Sequence, residues 1–434
     1  MTRSETMINA FVPGETDLPP ETAALVARRQ AVLGPAYRLF YHEPLHLVRG
    51  EDVWLYDAAG NAYLDAYNNV ASVGHCHPRV VAAMAAQAGV LATHTRYLHD
   101  GVLGYAERLL AHFPPELSQV MFTCTGSEAN DLALRLARAR TGFTGVIVTE
   151  TAYHGVTLSV AEFSPSLGRG VALGAHVRTV PAPLGADAEA FGANVQAAID
   201  DLLRHGIKPA VLIVDTIFSS DGVCAGPEGF LAPAVAAIRA AGGLFIADEV
   251  QPGFGRTGDA MWGFMRHGAL PDMVSLGKPM GNGYPVAGLV MRPDVVAEFG
   301  AKGRYFNTFG GNAVAMATAM AVLEVIEDQG LMANSARTGA LFADGLRSLA
   351  RDHAALGEVR AAGLFLAVDV LDNNGHPDRA RTAKIVNNLA QKRVLISATG
   401  KHGHSLKIRP PMTFTPAHVE MFLARLKEVL QPSA

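Results

Sequence analysis

The sequence predicts an α/β protein with a large domain on a mainly parallel sheet and a smaller α+β domain. Three observations predict it. Short, nearly uninterrupted apolar runs alternate with helix-like stretches between residues 119 and 276, as strands do when crossover helices cover both faces of their sheet. The C-terminal part mixes helices with strands of alternating polarity, which implies a sheet with one solvated face. A chain of 434 residues also exceeds the size at which single cores usually stop growing.

Residues 1–34 carry Pro, Gly and Thr clusters and one helix-like piece at 22–33, and read as an arm. In LHLVRGEDVWLYDAAGNAYLDAYNN, polarity alternates around turns at Gly50 and Gly60, the mark of a small antiparallel meander. Arm and meander, residues 1–69, are assigned to the smaller domain. GHCHP then opens a helix with Pro78 at its first position. His75, Cys76 and His77 are not read as a metal site, because neighbours on an extended run point to opposite faces.

Strands are expected at 119–123, 146–150, 210–215, 244–247 and 273–276. Helices are expected from Ser127, after Glu150, at 188–203 and at 231–241. PVAGLVM at 285–291 would close an edge of the sheet. Residues 70–311 make up this large domain. Residues 312–434 complete the smaller one with a long helical run, a second helix through Ala350, strands in LFLAVDV, RVLISATG and LKIRPP, and an amphipathic helix from Pro416.

Composition excludes several classes. Lys and Arg total 36 against 40 acids, a net charge of -4, so there is no general attraction to nucleic acid or anionic membrane. Cys76, Cys124 and Cys224 are too few and scattered for a disulfide framework and point to a reducing compartment. The N-terminal stretch lacks the apolar core of a signal peptide, and no apolar run approaches the roughly 18 residues of a membrane span. The expectation is a soluble, cytoplasmic protein without a metal.

The chemistry concentrates at 244–284. The strand at 244–247 delivers Asp248 and Glu249, and the strand at 273–276 delivers Lys278, each followed by a glycine-rich turn. Ligands of open α/β sheets bind outside the carboxyl ends of strands. An acid for a pyridinium nitrogen and a lysine for a Schiff base are what pyridoxal phosphate asks of a protein. A buried salt bridge beside two loops is the other reading. TGSEAND offers Gly126 for a tight turn and Ser127 at or near an N-cap, which suits a phosphate but also an ordinary helix start. AYHG places Tyr153 and His154 at the same sheet edge, where an aromatic could stack on a ring or simply pack. NTFGGN adds another glycine turn, with Thr308 able to donate to an oxyanion.

TGSEAN, YHG, ADEVQPGFGRTG, SLGKPMGNGYP and NTFGGN, in this order over nearly the whole chain, resemble the class III aminotransferases, fold type I pyridoxal phosphate enzymes. The resemblance implies that Lys278 binds the cofactor covalently, Asp248 pairs with its ring nitrogen, and Gly126 and Ser127 hold its phosphate. It implies Tyr153 and Val250 on the two ring faces and Gln251 near the ring hydroxyl. Thr308 would reach the phosphate of a neighbouring subunit, which implies a homodimer.

Within the family, YLDAYNNVASVGHCHP, THTRYLHD, GKPMGNGYPVA and LKIRPPMTFT resemble the ethanolamine-phosphate and phosphohydroxylysine phospho-lyases. Where many members read close to EPIQGEAGV, this chain reads DTIFSSDGV, with Ser220 in place of a glutamate that masks an arginine. Arg409 matches that arginine and would stay available to an anion, with Lys407 adding positive charge. Arg96, Asn68 and Asn69 are further candidates for substrate contact. The implied reaction is elimination of phosphate from a phosphorylated amine, and the alternative is transamination of an ω-amino acid or amine.

Overall fold

A computed structural model describes residues 7–185, 187–224, 226–227 and 229–431; the first six residues of the expected arm lie outside them. The arm contributes α1 (Pro20–Leu33), which buries none of its residues. The meander follows as β1 (Leu47–Glu51), β2 (Trp54–Asp57) and β3 (Ala62–Asp65). Its second turn uses Gly60 at φ 83°, but Gly50 is not a turn. It lies inside β1 opposite Leu55, and the chain reverses at Asp52, which takes a φ of 50°. Aspartate tolerates that region better than most residues.

Next come α2 (Pro78–Ala88), α3 (Asp100–Leu110), β4 (Gln119–Thr123), α4 (Gly126–Thr141) and β5 (Gly145–Thr149). The helix expected after Glu150 is only the single turn α5 (Leu158–Ala161), and a strand not foreseen, β6 (Val177–Val180), follows it. Then come α6 (Ala188–Arg204), β7 (Pro209–Asp215), α7 (Ala232–Ala240), β8 (Leu244–Asp248), β9 (Met273–Leu276) and β10 (Ala287–Met291). These seven strands form one sheet in the order β4-β10-β9-β8-β7-β5-β6. Strand β10 does not close an edge. It runs antiparallel between β4 and β9, so β4 takes the rim.

Alternate residues of the central strands serve opposite faces. Leu212, Val214, Phe245 and Ala247 enter one apolar core; Val211, Ile213 and Ile246 enter another. Helices on both sides remove both faces from water, which is why these strands are almost purely apolar.

The chain continues through α8 (Pro293–Lys302), α9 (Ala313–Asp328), α10 (Leu331–Asp352), β11 (Leu356–Ala362), β12 (Phe365–Val370), α11 (Arg379–Gln391), β13 (Val394–Leu395), β14 (Ser397–Thr399), β15 (Ser405–Ile408) and α12 (Pro416–Leu430). An antiparallel sheet runs β11-β12-β15-β14, while β13 joins β3 in parallel. A third core joins Val53 and Leu64 of the meander to Phe342, Leu366, Leu406 and Phe422. The three cysteines are free. Among the described residues, no helix is long and apolar enough to cross a membrane, and no group of three or more His, Cys, Asp or Glu could hold a metal.

Candidate active site

Parallel pairing of β7, β8 and β9 sets Asp215 beside Asp248 and Asp248 beside Ser275, three residues before Lys278. All three functional groups line one cavity of about 250 Å³ with Thr125, Gly126, Ser127, Tyr153, His154, Val250 and Gln251.

Asp248 is buried and fully engaged. One carboxylate oxygen accepts from the Val250 amide at 3.0 Å. The other accepts from Asn130 Nδ2 at 2.9 Å and lies 2.7 Å from His154 Nδ1. Burial alone would raise its pKa; the bond and charge of His154, with the Val250 and Asn130 donors, outweigh it and hold the acid below the usual range. Asn130 also donates to the His154 carbonyl at 2.8 Å, which fixes the two residues to each other.

Ser127 is not the N-cap. Thr125 is: its hydroxyl accepts from the Glu128 amide at 3.1 Å, while Glu128 accepts from the amides of Cys124 and Thr125. This capping box leaves Gly126 and Ser127 as the first two helical residues, whose amides have no acceptor within the helix. A Cβ on Gly126 would come within 2.9 Å of Val250, and one on Gly155 within 2.5 Å of the Ser127 hydroxyl oxygen. The helix end can approach its neighbours only as glycine.

Burial lowers the pKa of Lys278 to about 8, Arg409 pushes in the same direction, and Asp248 and Asp215 oppose them. Asp215 accepts from the amides of Ile217 and Ser219, both at 3.1 Å. Its pKa is raised by burial first and by Asp248 second.

Arg409 departs from expectation. It is not free for an anion: Nη1 donates to Gln251 Oε1, and the guanidinium stacks 4.3 Å from the centre of the Tyr67 ring. Ser220 presents only its carbonyl to Thr399 and Gly400. The next residue on the loop is an acid. Asp221 accepts from the Thr149 and Thr151 hydroxyls at 2.9 and 2.5 Å. Lys407 is buried, and its ammonium pKa is driven well down, by burial first and by Arg409 second.

The remaining candidates do not line the cavity. The Asn68 side chain accepts from the Val70 amide, and the buried Asn69 amide nitrogen has no partner among the described residues. Arg96 stacks 3.8 Å from the Phe306 ring centre, and Thr308 is exposed. Two lining or supporting residues were not foreseen. Asp215 carried the same signal as Asp248, an acid ending an apolar run. Asn130 carried only its place one helical turn into α4.

A helix end open to a phosphate, a buried ionised acid and a low-pKa lysine around one cavity fit pyridoxal phosphate and define an enzyme of the fold type I class. The class-III aminotransferase profile matches residues 40–430, and the chain belongs to that family, whose members depend on pyridoxal phosphate. An alanine-glyoxylate aminotransferase 2-like protein of Drosophila melanogaster is 38% identical over 94% of this chain and 87% of its own. An ethanolamine-phosphate phospho-lyase homolog of Caenorhabditis elegans is 33% identical over 94% and 93%. A phospholyase from Arthrobacter, solved in complex with phosphoethanolamine, is 41% identical, covers 94% of this chain and 99% of its own, and superposes with a TM-score of 0.91.

Proposed function

We propose that the protein is a phospho-lyase that eliminates phosphate from a small phosphorylated amine such as phosphoethanolamine. The observation that carries the reading is the charge around Arg409. Its contacts are a neutral amide and an aromatic ring, neither of which cancels its charge. The likeness to the phosphoethanolamine-bound phospholyase supports the same substrate class.

In this reading Gly126 and Ser127 hold the cofactor phosphate, Tyr153 and Val250 flank its ring, and Lys278 binds it covalently. When bound, the cofactor supplies an electron sink for charge developing at the substrate Cα. Asp248, oriented by His154 and Asn130, keeps the ring nitrogen protonated. The Lys278 amine, just beyond the carboxyl end of β9, would take the Cα proton. As the C–O bond to phosphate breaks, the departing anion is received by Arg409. Water completes the reaction, giving aldehyde and ammonia besides inorganic phosphate; for phosphoethanolamine the aldehyde is acetaldehyde.

Residues 70–311 are read as the cofactor-binding unit, and 1–69 with 312–434 as the smaller one. A homodimer is part of the proposal, with Thr308 directed at the neighbouring subunit's site and Arg96, Asn68 and Asn69 at the substrate end. The free cysteines favour a cytoplasmic setting.

A second reading, transamination of an ω-amino acid or amine, is favoured by the likeness to the alanine-glyoxylate aminotransferase 2-like protein. Purified enzyme given phosphoethanolamine alone should release phosphate and acetaldehyde. Alanine formed from an amine donor and pyruvate, with no phosphate from phosphoethanolamine, would establish the second reading instead.

A further inference from the structure

Gln251 lines the cavity, whereas Arg409 stands behind it. Both side chains are buried, and the Arg409 backbone is tied to the Ala66 carbonyl at 2.8 Å. An anion in the cavity therefore meets the glutamine before the guanidinium. We infer that Gln251 is a neutral latch on Arg409, which must release its hydrogen bond before a phosphate can be received; the inference rests on the proposed role of Arg409.

The chemistry of the latch follows from its being an amide. A glutamate at this distance would pair with Arg409 and cancel its field as well as occupy its N–H. Gln251 takes up one N–H and leaves the positive charge undiminished. That charge is felt at Lys278 and Lys407, whose ammonium groups Arg409 disfavours.

A phosphate oxygen is a stronger acceptor for an arginine than a carboxamide oxygen. A dianion can thus displace Gln251, and an uncharged amine has nothing with which to do so. The Arg409 Nε has no partner among the described residues and offers the arriving anion a second donor. The Arg409 backbone is tied to Ala66 and its guanidinium lies over the Tyr67 ring, so the glutamine is the part that turns away. Gln251 in this account is a specificity-determining residue that sets how strong an anion must be to open the site.

The test is calorimetric titration of the holoenzyme with inorganic phosphate, whose binding does not depend on turnover and which finds the cofactor-phosphate cradle already filled. Gln251→Leu, close in volume and unable to accept, should tighten phosphate binding by roughly tenfold, the worth of one hydrogen bond from an ionised donor. Gln251→Glu should weaken it by roughly tenfold or more, because the phosphate must then displace an ion pair. Arg409→Gln should abolish it. If Arg409→Gln abolishes binding but the two Gln251 variants move in the same direction or not at all, the latch is refuted while the anion site stands. If Arg409→Gln binds phosphate as well as the wild type, the proposed anion site fails and the latch fails with it.

Discussion

Asp248 is an acid kept ionised where burial alone would neutralise it, and the residues responsible are named: His154, Asn130 and the Val250 amide. Asp248→Asn keeps the shape and removes the charge that, in the proposed reading, keeps the ring nitrogen protonated. Its kcat/KM for phosphate release should fall by roughly 10²–10⁴, the usual range for a proton-holding group. Lys278 gives a second residue-level prediction. With its pKa lowered to about 8, the reactive free amine accumulates as pH rises through that value. The rate at which apoprotein captures pyridoxal phosphate, followed by absorbance, should therefore rise to a plateau with a midpoint near 8. Arg409→Gln removes a cation that disfavours the ammonium, so the midpoint should move up. An unmoved midpoint would break the link between the two residues. Asp248 and Lys278 were both legible from the sequence, since each ends an apolar strand. Asp215 was legible by the same rule and passed over, whereas the Gln251–Arg409 contact joins residues 158 apart and has no local signature.

At the scale of elements, the turn after β8 is anchored by Glu249. Its carboxylate accepts from the Thr216 hydroxyl at 2.8 Å and from the Gly263 and Phe264 amides at 2.8 and 2.7 Å. Burial, the largest influence, still raises its pKa from 4.5 to about 7. The sign follows directly: the folded state binds this proton more tightly than the unfolded chain. The stabilisation is therefore complete below 4.5 and is lost as pH rises to about 7. Glu249→Gln cannot titrate, so the difference in melting temperature between wild type and variant should change across that window and stay flat above it. A constant difference would show that Glu249 keeps one protonation state. Long amphipathic helices and apolar strands were readable by periodicity, often to within one residue. Strand β6 was missed because its four residues include the half-buried Arg178 and the exposed Thr179, and it forms an edge of the sheet. Helix α3 was missed because His99, its N-cap, is not a usual capping residue.

At the scale of the molecule, the meander completes a core with elements some 300 residues away, and β13 joins a different sheet from β14 one residue later. Such pairings leave no trace in a local pattern, although the division into a parallel sheet and a mixed α+β region did. The surface also carries a message. Leu98, Val90 and Phe309 are 98%, 81% and 70% exposed, apolar surface that the proposed homodimer would have available to cover. Light scattering should give twice the chain mass, and Phe309→Asp should lower the dimer fraction and the activity together. A fully active monomer would overturn the shared-site arrangement.

In the proposed reading, the choice between losing phosphate and exchanging an amine turns on what Arg409 receives. The most direct measurement is a crystal structure of the Lys278→Ala protein with pyridoxal phosphate and phosphoethanolamine bound. The substrate phosphate should lie within hydrogen-bonding distance of Arg409, with Gln251 turned away from it. A phosphate directed to solvent, with the Gln251–Arg409 bond intact, would contradict the proposed reading.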